Sequence, residues 1–264
     1  MMMKKTLIPL FALCLIAPIS MATSTTSYAA GGEHIELPDE EWSFKGLSGT
    51  YDRASLQRGF QVYQQVCAAC HSMKYLSYRN LTDLGYNDDE VKAIASQYTI
   101  MDGPNDEGEM FERNRKPSDR FNDPYPNSAA ARYANNGAYP PDMSLLAKAR
   151  VDGPNYIYGI LTGYVEAPED FEINAGQHYN KYMSGHKIAM AAPLSDGMVG
   201  YEDGSVEAVN QYAKDVTTFL TWAAEPKMED RKRTGVKAVL FLLVFAFIMY
   251  RIKKKIWKDL KLPH

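Results

Sequence analysis

Apolar positions fall into three patterns along the 264-residue chain, and each predicts a different kind of segment. Near the start, residues 7–19 form a 13-residue apolar run broken by Pro9 and Pro18, with Lys4 and Lys5 before it and Ser27-Tyr28-Ala29 after it. A run this short does not span a bilayer, and the small-x-small tripeptide is a cleavage pattern, so residues 1–30 read as a removable secretory signal. The segment has no arginine, which argues against a mitochondrial presequence. Phe11-Ala12-Leu13 ahead of Cys14 is not the small-residue run that a lipid-anchor site needs.

From about residue 52 to residue 224 the apolar positions recur at helical spacing in separate stretches. Leu56, Phe60 and Tyr63 predict a helix from an Asp52 or Ser55 cap to about Val66. Val91, Ile94, Ala95 and Tyr98 predict a second over residues 88–98, capped by Asn87 and favoured by the acidic first turn Asp88-Asp89-Glu90. A short helix is predicted from an Asp142 cap through Leu145, Leu146 and Ala149 to Arg150. Another runs from Pro154 to near Gly163. The last, about residues 206–224, carries Val209, Tyr212, Ala213, Val216, Phe219 and Leu220 on one face. Between these lie stretches without period. Residues 31–49 read as an extended arm whose Trp42 and Phe44 pack on the domain surface. Residues 101–141 contain six prolines among many aromatics and read as an ordered loop, and residues 164–187 as a second loop.

The third pattern is a continuous apolar block, residues 238–250, extendable over 19 residues from Thr234 to Ile252 if Lys237 snorkels. At the helical rise that is roughly 28 Å, enough to cross a bilayer core. Arg231-Lys232-Arg233 stand before it, and Arg251, Lys253, Lys254, Lys255, Lys258 and Lys261 at its far end. The expected domains are therefore a signal (1–30), an exported domain (31–230), a membrane anchor with its basic outer flank (231–252) and a basic tail (253–264). The positive-inside rule puts that tail in the cytoplasm and the large domain in the periplasm of a bacterial inner membrane. A buried soluble helix would not end in such a lysine cluster.

Charge adds a second asymmetry. The net charge of −3 divides into 17 basic against 31 acidic residues over 31–230, a balance of −14, and +9 over 231–264. An acidic exported domain disfavours nucleic acid and suits a basic protein partner, whose encounter it would steer; the same charge also keeps an exported domain soluble.

Candidate chemistry concentrates in Val66-Cys67-Ala68-Ala69-Cys70-His71, directly after the first predicted helix. Two cysteines three positions apart share one face of a helical turn, and a histidine immediately after them reaches beneath a ring that both sulfurs hold. This is the attachment pattern of one covalent haem c, with His71 as an iron ligand. A redox dithiol, a Cys67–Cys70 disulfide or half of a zinc site are the competing readings of two cysteines at this spacing. The sixth iron position decides between electron transfer and ligand chemistry. Met190 is favoured for it, lying far downstream in the small-residue, proline-ended run Ile188-Ala189-Met190-Ala191-Ala192-Pro193. Spacing leaves Met183 and Met198 open, and His178 and His186 read as surface residues.

Further motifs are more specific. Asn135-Asn136-Gly137-Ala138-Tyr139-Pro140-Pro141-Asp142-Met143-Ser144, the run from Ile188 to Pro193, and Trp222-Ala223-Ala224-Glu225-Pro226 followed by Arg231-Lys232-Arg233 resemble segments of the cytochrome c1 family. With the CxxCH and the anchor, the resemblance spans essentially the whole mature chain. Tyr139 stands where the family segment usually has an aliphatic residue, and the loops lack the cysteine pair that some bacterial members carry. The resemblance implies a mainly α, cytochrome c-like haem domain with long irregular loops plus one C-terminal transmembrane helix. In that fold Gly59 and Tyr63, eight and four residues before Cys67, lie where the first helix crosses the last soluble one. The resemblance also implies Met190 as sixth ligand, Arg150 as partner of a haem propionate, and Pro141 and Tyr156 as haem wall. By the same likeness the chain is the electron-transfer subunit of a quinol:cytochrome c oxidoreductase, the dimeric multi-subunit cytochrome bc1 complex. Its partners would be cytochrome b, a Rieske iron–sulfur protein, a soluble basic cytochrome c and membrane lipid. A membrane-anchored haem enzyme or sensor with an open sixth site is the rival from another class. A cytochrome subunit of another respiratory oxidoreductase is a third reading, for which no second CxxCH or copper-site cluster is present.

Overall fold

A computed structural model describes residues 35–259, so the expected signal segment and the last five residues lie outside the described part. Helix α1 (Arg53–Gln65) starts where Asp52 accepts from the amides of Ala54 and Ser55, and it buries Leu56, Gly59, Phe60, Val62 and Tyr63. Helix α2 (Asp88–Ser96) has a full capping box, Asn87 with Glu90, and α3 (Ser128–Ala134) is capped by Asn127. Helix α4 (Gly153–Thr162) carries Pro154 in its first turn and ends at Gly163. Helix α5 (Val209–Ala224) starts three residues later than the spacing suggests, where the Asp196 carboxylate accepts from the Val209 amide at 2.8 Å.

Helices α1 and α5 cross at Gly59. A Cβ there would stand 2.1 Å from the Asp215 carbonyl oxygen and 2.7 Å from Phe219 Cβ, so only glycine permits the approach. Aromatic rings fill the crossing, with Phe60–Phe219 and Tyr63–Phe219 centroids 5.6 and 5.7 Å apart. The Asp215 carboxylate is fully buried there and saturated with donors: Ser55 Oγ (2.6 Å), Arg58 Nε (2.9 Å), Gln211 Nε2 (3.0 Å) and the Tyr201 hydroxyl (3.1 Å). A buried charge so paired is tolerated; the same charge left alone would not be.

Three expectations need correction. Residues 142–150 form successive turns rather than a helix. Asp142 and Ser144 direct their oxygens to residues 72–75, and the backbone bonds that follow are i to i+3 apart from a single i to i+4 bond, Ala149 to Leu145, so one turn forms and no α-helix propagates. The loop 101–141 is ordered, as expected, but it holds α3 and half of a hairpin, β1 (Thr99–Asp102) antiparallel to β2 (Phe111–Asn114). Arg113 ties that hairpin down through Asp102 and Asp119. The second loop contains β3 (His178–Tyr179), paired with β4 (Lys187–Ile188).

Residues 228–256 form one continuous helix, α6 (Met228–Ile256), whose apolar side chains beyond Val236 face outward. It is the membrane anchor, long and apolar enough to cross a bilayer. Its first turns are clamped by the N-terminal arm. Glu229 accepts from the Tyr51 amide (2.7 Å) and from Arg53 (2.8 Å), and Lys232 Nζ donates to the carbonyls of Phe44 (2.6 Å) and Gly49 (2.9 Å). Trp42 and Phe44 of the arm are buried as expected, Trp42 donating its indole N–H to Asn155 at 2.7 Å.

Candidate functional site

At the end of α1 the chain makes a 3-10 turn, with the amides of Cys70 and His71 both donating to the Cys67 carbonyl at 3.1 and 2.9 Å. That turn brings Cys67, Cys70 and His71 to one apolar cavity of roughly 560 Å³. All seven residues singled out from sequence line it: Cys67, Cys70, His71, Pro141, Arg150, Tyr156 and Met190. Helix α4 contributes Tyr156, Ile157, Ile160 and Leu161, α5 contributes Val216 and Leu220, and residues 188–193 close another side.

His71 is buried, and its Nδ1 lies 2.8 Å from the Pro141 carbonyl oxygen. A carbonyl only accepts, so Nδ1 carries the proton and the Nε2 lone pair is left for another partner. Burial lowers the His71 pKa, against the opposing pull of the Pro141 carbonyl and the Asp142 charge, so the ring is neutral at neutral pH. Burial, with the Cys70 sulfur beside it, pushes the Cys67 thiol up to about 12. A redox dithiol needs the opposite shift at its attacking sulfur, so the burial of Cys67 argues against that reading. The two sulfurs are not bonded to each other in the structure. Among the described residues no three His, Cys, Asp or Glu side chains cluster at metal-ligand distance, which leaves a zinc half-site without its other half.

Met190 is half-buried, and its carbonyl is pinned at 2.9 Å by the Tyr164 hydroxyl. Of the alternatives left open by spacing, Met198 does not line the cavity. Met183 does, with its sulfur 3.7 Å from the Tyr156 hydroxyl. His178 is exposed yet also reaches the lining, whereas His186 stacks on Tyr179 at 5.2 Å, outside it. Arg150 sits at the exposed rim, its guanidinium 5.8 Å from the centre of the Tyr156 ring.

Several positioning residues escaped the sequence reading. Fully buried Asn180 donates to the Ile160 carbonyl (2.8 Å) and accepts from the Tyr182 amide (3.0 Å), fastening the 164–188 loop to α4. Tyr164 also escaped it, an ordinary residue in an aperiodic stretch that only its bond to the Met190 carbonyl reveals.

Volume, apolar lining and donor set fit a covalently held haem: two thiols and a neutral imidazole on one turn, a thioether on the same cavity and a guanidinium at its rim. A helical domain with this site, carried on one membrane-spanning helix, defines a membrane-anchored cytochrome of the c type. Residues 42–260 match the family model described as Cytochrome C1 family, and the chain belongs to that family. It is 51% identical over 240 residues to "Cytochrome c1-2, heme protein, mitochondrial" of Solanum tuberosum, covering 90% of this chain and 92% of that one. It is 43% identical over 243 residues to "Cytochrome c1" of Rhodospirillum rubrum, covering 86% and 89%. Against "Cytochrome b/c1" of Bradyrhizobium diazoefficiens it is 50% identical over 244 residues, 84% of this chain but 36% of that longer protein.

Proposed function

We propose that the chain is the electron-transfer subunit of a quinol:cytochrome c oxidoreductase. Cys67 and Cys70 would hold one haem c through two thioethers, and His71 and Met190 would be its iron ligands. It works beside cytochrome b, taking electrons from a Rieske iron–sulfur protein and giving them to a soluble basic cytochrome c. The observation that carries this reading is the convergence of CxxCH, Met190 and Arg150 on one apolar cavity in a member of the cytochrome c1 family.

The bound group supplies reversible one-electron chemistry at iron. The residues supply the rest. The Pro141 carbonyl holds the His71 ring in one tautomer and orientation. Tyr164 fixes the backbone that presents the Met190 thioether. Arg150 offers a planar fork suited to a carboxylate at the rim, two charge-assisted bonds for one propionate. Val216, Leu220, Ile157 and Ile160 line the cavity with apolar surface that would exclude water from the bound group, which together with a thioether ligand would favour a high potential. The clasp of Glu229 and Lys232 on the arm holds this domain against the first turns of the anchor. The domain faces the periplasm of a bacterial inner membrane and the basic tail the cytoplasm, within a dimeric multi-subunit complex.

Carbon monoxide tests the reading on the full chain purified from membranes with its native neighbours. The reduced protein is expected to leave carbon monoxide unbound and to be oxidised rapidly by a basic cytochrome c. A high-spin spectrum with ready carbon monoxide binding would favour a ligand sensor or enzyme with an open iron site.

A further inference from the structure

Residues 71–75, which begin with the proposed iron-binding histidine, are laced to residues 141–144 some seventy positions away. His71 Nδ1 donates to the Pro141 carbonyl (2.8 Å), the Met143 amide to the Ser72 carbonyl (2.9 Å), and the Tyr75 amide to Ser144 Oγ (3.1 Å). Asp142 stands at the centre. Its Oδ2 accepts from Ser72 Oγ and from the Lys74 amide, both at 2.9 Å, and its Oδ1 from the Ser144 amide at 2.9 Å. One carboxylate thus joins both segments, through two residues that closely follow His71 and through the residue that directly follows the carbonyl bound to His71.

Pro141 gives this arrangement its point. Proline has no N–H, so residue 141 has no amide donor to tether it, and the proline rings of Pro140 and Pro141 fix only φ. The direction of the Pro141 carbonyl is then set from its C-terminal side, by the residue whose side chain is tied to the histidine's own segment. We infer that Asp142 is a positioning residue for the iron-binding histidine: by clamping residues 72 and 74 it holds the Pro141 carbonyl against His71 Nδ1–H, and so fixes the tautomer and the ring orientation. Charge-assisted bonds to two amides and a hydroxyl suit this role, being shorter and stronger than neutral ones. The inference rests on the reading of His71 as a haem ligand.

The test uses the full chain with haem attached, labelled with 15N-histidine; five histidines keep the spectrum sparse. In the reduced, diamagnetic protein, hydrogen exchange of His71 Nδ1–H reports how firmly the Pro141 carbonyl is held. Asp142→Ala is expected to keep covalent haem and speed that exchange about tenfold, the scale of one net hydrogen bond. Asp142→Asn removes the charge but can still accept from Ser72 and Lys74, so its exchange is expected to stay near the unaltered rate. Ser72→Ala, which keeps the charge and removes one clamp bond, is expected to speed exchange severalfold, and it decides the matter if Asp142→Ala fails to accumulate. The midpoint potential is expected to rise in Asp142→Ala, because a looser Nδ1–H bond makes the imidazole a weaker donor to iron. Exchange within twofold of the unaltered rate in both Asp142→Ala and Ser72→Ala would overturn the positioning role. Equal acceleration in Asp142→Asn and Asp142→Ala would reduce Asp142 to a charge. If the unaltered protein carries no covalent haem, the underlying reading fails and this inference with it.

Discussion

Burial acts in opposite senses on two neighbouring residues and leaves both neutral: it pushes the Cys67 thiol up to about 12 and the His71 imidazole below its ordinary value. A neutral imidazole with Nδ1 already engaged is ready to bind a metal, and a thiol that does not ionise is no spontaneous redox partner. Cys67, Cys70 and His71 stood out in the sequence because CxxCH is a fixed-spacing pattern that needs no long-range partner to be read. Met190 was favoured in the sequence by its small-residue, proline-ended run and by the family resemblance, but nothing in its local sequence reports the Tyr164 hydroxyl that holds its carbonyl. Asp142 was legible as a cap and not as a clamp, because its partners Ser72 and Lys74 lie 70 and 68 positions away. Replacing Met190 with alanine is expected to lower the midpoint potential by a sizeable part of the roughly 0.8 V that axial ligation spans, and to admit carbon monoxide; a redox titration checks it. An unchanged potential would move the ligand to Met183 or His178. Asp142 also carries a pH dependence. Burial opposes its ionisation, yet the Lys74 amide, Ser144 and Ser72 together hold its carboxyl below the usual value. A lowered folded-state pKa gives stability that is present above the unfolded value and lost as pH falls through the folded one. The melting temperature of the haem-loaded protein is therefore expected to drop as the pH is lowered below the ordinary aspartate range, with a shallower drop in Asp142→Asn.

Among elements, α1 and α2 were legible because each couples a cap to a 3.6-residue apolar period, α4 from its Pro154 start and Gly163 breaker, and α5 from its apolar face alone. The β1–β2 hairpin was not, because both strands are largely exposed and show no apolar alternation. Residues 142–150 misled for the reverse reason: Leu145, Leu146 and Ala149 mimic a helical period, but the cap of that stretch is bonded to another segment. The crossing of α1 and α5 is the tightest element contact at the site, since it fixes the turn bearing Cys67 relative to Val216 and Leu220. Gly59→Ala drives a methyl into the Asp215 carbonyl and is expected to cost about 3 kcal/mol, the upper part of the overpacking range. For a domain of this size that lowers the melting temperature by roughly 6–12 °C, measurable by calorimetry. A shift under about 2 °C would mean that the helices are free to separate.

For the whole molecule, charge and anchorage act together. The balance of −14 over residues 31–230 stands against +9 over residues 231–264, so the haem domain repels anions and the basic tail is the part that the proposed topology assigns to the cytoplasm. Both features were legible in composition alone. The clamp between the arm and α6 was not, because Lys232 and Glu229 look like ordinary members of a basic flank and a helix start. Raising ionic strength from about 10 mM to 200 mM shortens the Debye length from roughly 30 Å to under 10 Å. Reduction of a basic cytochrome c is expected to slow tenfold or more over that range; a salt-independent rate would remove the steering role of the acidic domain. The proposed function stands on one cavity holding a covalent haem between His71 and Met190. Near-infrared magnetic circular dichroism of the oxidised, full-length protein tests it most directly, because thioether–imidazole, bis-imidazole and open-site irons give distinct spectra. A thioether–imidazole signature, lost in Met190→Ala, is the expected result; a bis-imidazole or high-spin signature in the unaltered protein would contradict it.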